Sequence, residues 1–114
     1  MSDCLFCKIA EKKIPSKIVH EDDKAVAFED VNPQAPTNVL VIPRKHVASI
    51  AELNEADAGL LGHLMLTGSK VARQKGIAEG GYRVVVNTGR NGGQTVSHLH
   101  LHVLGGRPMH WPPG

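Results

Sequence analysis

The sequence predicts an α+β domain: one antiparallel sheet, one long helix and one short N-terminal helix. Three observations carry this expectation. Extended, β-rich stretches come first, one long amphipathic stretch follows, and β-rich stretches close the chain, which segregates strands from the helix. The length of 114 residues suits one domain, 1–114, with a single core. Hydrophobic residues make up 41% and charged residues 21%, a globular composition.

The elements follow in order. Cys4 to Lys13 reads as a short helix, ended by Pro15, which cannot continue one. Lys17-Ile18-Val19-His20 and Ala25-Val26-Ala27-Phe28-Glu29, joined by polar Glu21 to Lys24, read as an antiparallel hairpin. Asp30 to Pro36 is loop, punctuated by Asn32, Pro33 and Pro36. Asn38-Val39-Leu40-Val41-Ile42 is a near-continuous apolar run, as in a strand covered on both faces, and Pro43 stops it. The long helix starts at Asn54, a capping residue, with Glu55 and Asp57 in its first turn. Leu60, Leu61, Leu64, Met65, Val71 and Ala72 form its apolar stripe, and Gly76 terminates it. Gly59, Gly62 and Gly68 each cost roughly 1 kcal/mol relative to alanine, which marks either a close packing partner or a solvent-facing turn. Tyr82 to Asn87 and His98 to Leu104 read as strands, Thr88 to Thr95 as a loop, and Gly105 to Gly114 as an irregular tail.

Composition excludes several classes. The net charge of +2, without a basic stripe interleaved with aromatics, argues against a nucleic-acid partner. No apolar run reaches the ~18 residues of a membrane span. The start Met1-Ser2-Asp3-Cys4 lacks the basic and apolar regions of a leader, and two cysteines are too few for a disulfide scaffold. A cytoplasmic protein without a membrane partner is expected.

The seven histidines stand out more than the charge. In a strand, His98, His100 and His102 share one face while Leu99, Leu101 and Val103 share the other. The aliphatic face belongs in the core, so the histidine face looks towards a site. Residues two apart along a strand stand ~6.5–7 Å apart. Three in line cannot close on one zinc ion, whose nitrogen ligands stand at ~2 Å, so the three have at least two jobs. Before them, Gly89, Gly92 and Gly93 let backbone N–H groups approach an anion. A tight hairpin is the plainer reading of those glycines. Joined to the histidines, they suggest a phosphate cradle beside an imidazole nucleophile.

The run His98-Leu99-His100-Leu101-His102-Val103-Leu104 resembles the motif of the histidine-triad (HIT) family, in its Hint branch of nucleotide hydrolases and transferases. Phe28-x-Asp30, Pro33-Gln34-Ala35-Pro36-Thr37, Gly92-Gly93-Gln94 and the Trp111-Pro112-Pro113-Gly114 end match as well, over nearly the whole length. The resemblance implies a HIT-like fold whose sheet continues across a homodimer. The helix from Asn54 to Lys75 and the strand from Tyr82 to Asn87 would lie in the interface, and the Trp111 tail would reach the partner's site. It also implies the reaction: hydrolysis of a purine nucleoside 5′-phosphoramidate, AMP joined through P–N to an amine.

By the same resemblance, His100 is the nucleophile on the α-phosphorus and His102 holds a phosphate oxygen. The backbone from Gly93 to Thr95 and the Gln94 amide steady the phosphate, and Asn87 bonds near the ribose or phosphate. Asp30 accepts from the ribose hydroxyls. Phe6, Phe28, Val31 and Leu40 form the slot for the base, with plain core packing as the alternative. Cys4, Cys7, His46 and His98 match the ligands of a structural Zn2+ site, the alternative being two reduced thiols without metal. No catalytic metal is expected, because a nucleophilic His100 needs an uncoordinated nitrogen. Thr95 stands where serine is frequent, and Asn38 stands where histidine is common, so no role transfers to Asn38. His20 and His63 read as surface or interface residues, and His110 as lining the pocket through the tail. A nucleotide-binding regulator with incidental hydrolysis, a dinucleoside polyphosphate hydrolase and a zinc-binding interaction module remain as alternatives.

Overall fold

The computed structural model describes residues 3–114. Helix α1 spans Leu5–Ala10, and the Cys7 N–H donates to the Cys4 thiol that caps it. It ends earlier than the expected Lys13, because Lys12 turns the backbone to φ 61°. The hairpin forms as expected, from β1 (Ile18–Glu21) and β2 (Ala25–Glu29). Asp22 Oδ1 closes its turn by accepting the N–H groups of Lys24 and Ala25, both at 2.8 Å. Strand β3, Thr37–Pro43, is buried from Asn38 onward.

The long helix is divided. Asn54 caps a 3-10 turn, Glu55–Asp57, through a reciprocal capping box with Asp57. Helix α2, Ala58–Gln74, follows, and Gly76 at φ 74° lies just beyond its end. Leu64, Val71 and Ala72 are buried as expected, but Thr67 and Gly68 share that face. Leu60 and Leu61 are half-buried, while Met65 is 45% and Leu66 66% exposed. The cause is Gly68, where an added Cβ would stand 3.3 Å from Val103 Cγ2. The helix backbone approaches the sheet there, and Leu66, two residues earlier and therefore about 160° around the helix, turns outward.

Strand β4 covers Tyr82–Val85, helical turn α3 covers Gly89–Gly92, and strand β5 covers Leu101–Gly105. The fourth strand thus stops short of Asn87, the expected loop contains a helical turn, and the last strand starts three residues after His98. The tail expected to begin at Gly105 begins one residue later. A Cβ on Gly105 would lie 2.6 Å from Ile77 Cδ1, so a larger residue would push the strand off its neighbour.

The five strands run β1-β2-β3-β5-β4, every pair antiparallel. This is the α+β architecture read from the sequence. Alternation sorts the strands between two faces. Ala25, Ala27, Val39, Val41, Leu101 and Val103 pack with Leu64, Val71 and Ala72 of α2. Val26, Phe28, Leu40 and Ile42 pack with Phe6, Ile9 and Ala10 of α1. Among the described residues, no helix is long and apolar enough to cross a membrane.

Candidate active site and metal centre

The α1 face of the sheet carries the chemistry. Strand register sets Phe28 opposite Leu40, and Leu40 opposite His102, in one row across β2, β3 and β5. Phe6 from α1 stands over this row, its ring edge-on to His100 at 5.1 Å and to Phe28 at 5.5 Å. A cleft of about 500 Å³ opens here. It is lined by ten of the expected site residues: Phe6, Phe28, Asp30, Val31, Leu40, Asn87, Gly93, Thr95, His100 and His102. Phe6, Phe28 and Leu40 are at once core and wall. Val31 is 97% exposed and belongs to no core.

Sequence reasoning missed Leu5, Ile9 and Ile14, which also line the cleft. Leu5 and Ile9 are four apart on α1, and that i, i+4 spacing was the available signal.

The Gln94 amide is committed to its own surroundings: Nε2 donates to the carbonyls of Ala48 and Val96, and Oε1 accepts the Gly89 N–H. It braces the glycine loop and does not line the cleft, so a phosphate contact there would pass to the Gly93 and Thr95 backbone. Trp111, expected at a partner's site and not at its own, is 80% exposed, lies outside this chain's cleft and sits beneath the Arg83 guanidinium. His110 is likewise outside the cleft, its carbonyl accepting from Arg83.

The three triad histidines do not lie on one straight strand. His98 occupies a bend before β5, where Leu99 N–H donates to the Val47 carbonyl at 2.7 Å. The bend lets the His98 carbonyl accept from the ring of the residue two ahead: His100 Nδ1 donates to it at 2.7 Å. A carbonyl only accepts, so the His100 Nδ1 carries a proton, and in the neutral ring the lone pair is on Nε2. His100 and His102 rings stand 5.1 Å apart. Burial, and then the neighbouring His100, pushes the pKa of His102 below the usual histidine value.

His98 itself is fully buried and turns to a second cluster. Its Nε2 donates to the Pro43 carbonyl at 2.9 Å, and burial lowers its pKa, so the ring is neutral with a bare Nδ1. That Nδ1 stands 3.3 Å from Cys4 Sγ, 3.5 Å from Cys7 Sγ and 3.1 Å from His46 Nδ1. Cys7 Sγ is 3.3 Å from His46 Nδ1. All four donor atoms lie within 4.8 Å of one another. Tetrahedral zinc places neighbouring ligand atoms about 3.3–3.8 Å apart. The two sulfurs and two imidazole nitrogens therefore fit a structural Zn2+ in both donor type and spacing.

A third cluster was not foreseen. His20 and His63 each approach Asp22 Oδ2 through Nε2, at 2.8 and 2.9 Å. They tie α2 to the first hairpin.

The family described as "scavenger mRNA decapping enzyme C-term binding" matches residues 3–111. An uncharacterized HIT-like protein of Synechococcus elongatus is 54% identical over 112 residues, 98% of this chain and 97% of the relative. A 14 kDa zinc-binding protein of Zea mays is 49% identical over 115 residues, 99% of this chain and 89% of its own. Among solved structures, a HIT family hydrolase from Legionella pneumophila superimposes with a TM-score of 0.96 at 51% identity, covering 98% of this chain and 100% of the other.

Proposed function

We propose that this chain, which belongs to the histidine-triad (HIT) family, hydrolyses purine nucleoside 5′-phosphoramidates through a nucleotidyl-histidine intermediate. The observation that carries this reading is the His100 tautomer: a lone pair on Nε2, held in place by the Nδ1 bond to the His98 carbonyl, at the wall of an apolar cleft.

The base lies between Phe6, Phe28, Leu40 and the exposed Val31, which gains cover only when the slot is filled. The Asp30 carboxylate, fixed by accepting the Asn32 N–H at 2.9 Å, receives the ribose hydroxyls. Asn87 and the backbone from Gly93 to Thr95 face the phosphate. His100 Nε2 attacks the α-phosphorus, an Nε2–P bond forms, and the P–N bond to the amine breaks, its nitrogen taking a proton from solvent as it leaves. Water then cleaves the nucleotidyl-histidine. His102 donates to a non-bridging oxygen as negative charge builds there. A Zn2+ at Cys4, Cys7, His46 and His98 would hold α1 against the sheet; it supplies structure and takes no part in bond making.

In this reading the chain works in the cytoplasm as a homodimer. Its paired β4 edges would continue the sheet, with the Met65–Leu66 side of α2 in the interface.

The test is hydrolysis of an adenosine 5′-phosphoramidate by the wild type and by His100→Ala. A rate loss on the order of 10⁴-fold or more in a folded variant supports the nucleophile. Equal rates would remove His100 from the mechanism. Nucleotide binding without turnover in either protein would favour a regulatory binding role.

A further inference from the structure

The sequence left Asn38 without a role, yet it is 96% buried, on the same strand face as the cleft. Register explains what it meets. Asn38 pairs across the ladder with Leu104, and Leu40 with His102, so Asn38 and His102 are diagonal neighbours on one face. At that separation a side-chain amide reaches an imidazole. Asn38 Nδ2 stands 3.4 Å from His102 Nδ1.

The amide has one orientation. Its Oδ1 accepts the Gln34 N–H at 3.0 Å. Turned over, it would set its NH2 against that N–H, donor against donor. The NH2 therefore faces His102, and an amide NH2 only donates. His102 Nδ1 must accept.

We infer that Asn38 is a positioning residue that locks His102 in the Nε2–H tautomer, making a neutral imidazole a permanent hydrogen-bond donor towards the cleft. The two active-site histidines then carry opposite tautomers. His100 is held with a bare Nε2 by a main-chain acceptor, and His102 with a protonated Nε2 by a side-chain donor. One ring is set to attack and its neighbour to donate, and no proton need move between them beforehand. An amide cannot take up or release a proton near neutrality, so this lock does not change as protons pass through the site.

The donor role of His102 rests on the phosphoramidate reading; the tautomer does not. The experiment is nitrogen NMR of the uniformly labelled full chain near pH 7, with the His102 ring assigned by comparison with His102→Gln. The expected wild-type result is an unprotonated Nδ1 and a protonated Nε2. A proton on Nδ1 in the wild type would overturn the lock without any variant. In Asn38→Asp, of equal size, the carboxylate offers an acceptor, and Nδ1 should gain a proton. In Asn38→Leu the exposed Gln34 N–H can turn to water, and His102 should show both tautomers. Shifts identical to wild type in both variants would overturn the proposal. On an adenosine 5′-phosphoramidate, Asn38→Leu should lower kcat roughly tenfold with a smaller change in KM, short of the roughly 10²–10³-fold cost of deleting such a donor. The expected nitrogen shifts with unchanged kcat would leave the lock standing and remove His102 from the phosphate.

Discussion

The two faces of the sheet are made by the same strands and kept by different physics. On the α2 face, Ala25, Ala27, Val39, Val41, Leu101 and Val103 meet Leu64, Val71 and Ala72, and the buried Thr67 of that helix turns its hydroxyl back to the His63 carbonyl. Area removed from water does the work there, and the contacts have no direction. On the α1 face the same alternation delivers Phe28 and Leu40, but also Asn38, His100 and His102. Each of these polar side chains is aimed by a named partner: Gln34 N–H for Asn38, the His98 carbonyl for His100, Asn38 for His102. Among the described residues, no buried side-chain nitrogen or oxygen lacks a partner. One face stabilises and the other orients, so stability and activity should separate under mutation.

The sharpest way to break that comparison is Leu64→Ala. Leu64 is fully buried on α2, and the cavity should cost about 2–5 kcal/mol in denaturant unfolding. The hydrolysis rate per folded molecule should stay near wild type. A large loss of rate in the folded fraction would show the faces to be coupled.

Metal removal probes the other face. Cys4, the cap of α1, and Cys7 flank Phe6, so the sulfur donors and a wall of the cleft share one short segment. With metal at one hundred times its dissociation constant, chelation should cost about 2.7 kcal/mol and weaken AMP binding. Calorimetry with and without chelator reads the first, and titration reads the second. Unchanged melting of a protein shown to be metal-free would return the site to a pair of reduced thiols.

Asp22 joins the faces at the edge of the molecule. Burial alone would raise its carboxyl, but hydrogen bonds from His20, the Lys24 and Ala25 N–H groups and His63 outweigh it and hold the pKa well below the usual carboxylate range. The folded value lies under the unfolded value of about 3.9. Its contribution is therefore complete above that pH and is lost as pH falls towards the folded value. Asp22→Asn should cost roughly 1–2 kcal/mol at neutral pH. Its stability should also fall less steeply than wild type below about pH 4, and superimposable acid limbs would contradict this.

The smallest effect separates two glycines of α2. An added Cβ at Gly59 meets nothing within 4 Å, whereas at Gly68 it presses on Val103. Gly59→Ala should gain up to about 1 kcal/mol from helix propensity. In Gly68→Ala the same gain should be cancelled or reversed by overpacking. Equal shifts in the two melting curves would mean that the sheet yields freely beneath Gly68.

Local signals were legible in the sequence. The Asn54 cap, the Gly76 stop and the hairpin turn at Asp22 act over a few residues, and all were in view. The near-continuous apolar run from Val39 to Ile42 declared a strand covered on both faces, and the period-2 alternation of His100 to Val103 declared a histidine face, before the fold was known. The cleft residues of β2, β3 and the glycine loop were legible through the family motif. His98 was placed on the strand because its spacing fits one, yet the chain bends there, with the Leu99 N–H bonded to the Val47 carbonyl and the His98 ring beside Cys4, Cys7 and His46. Met65 was assigned to the stripe because hydropathy does not fix a helix's rotation, which the contact of Gly68 with Val103 does.

The sequence by itself determined the elements, their amphipathic faces and the residue types of the site, because capping, periodicity and propensity act between residues one to four positions apart. Only the tertiary structure decided that Asn38 meets His102, that Gln94 reaches Ala48 and that His20 and His63 share Asp22. Those pairs, except the local His20–Asp22 bond, are 41 to 64 residues apart in the chain. Their meeting depends on strand register and helix rotation, which the packing of the whole core sets at once.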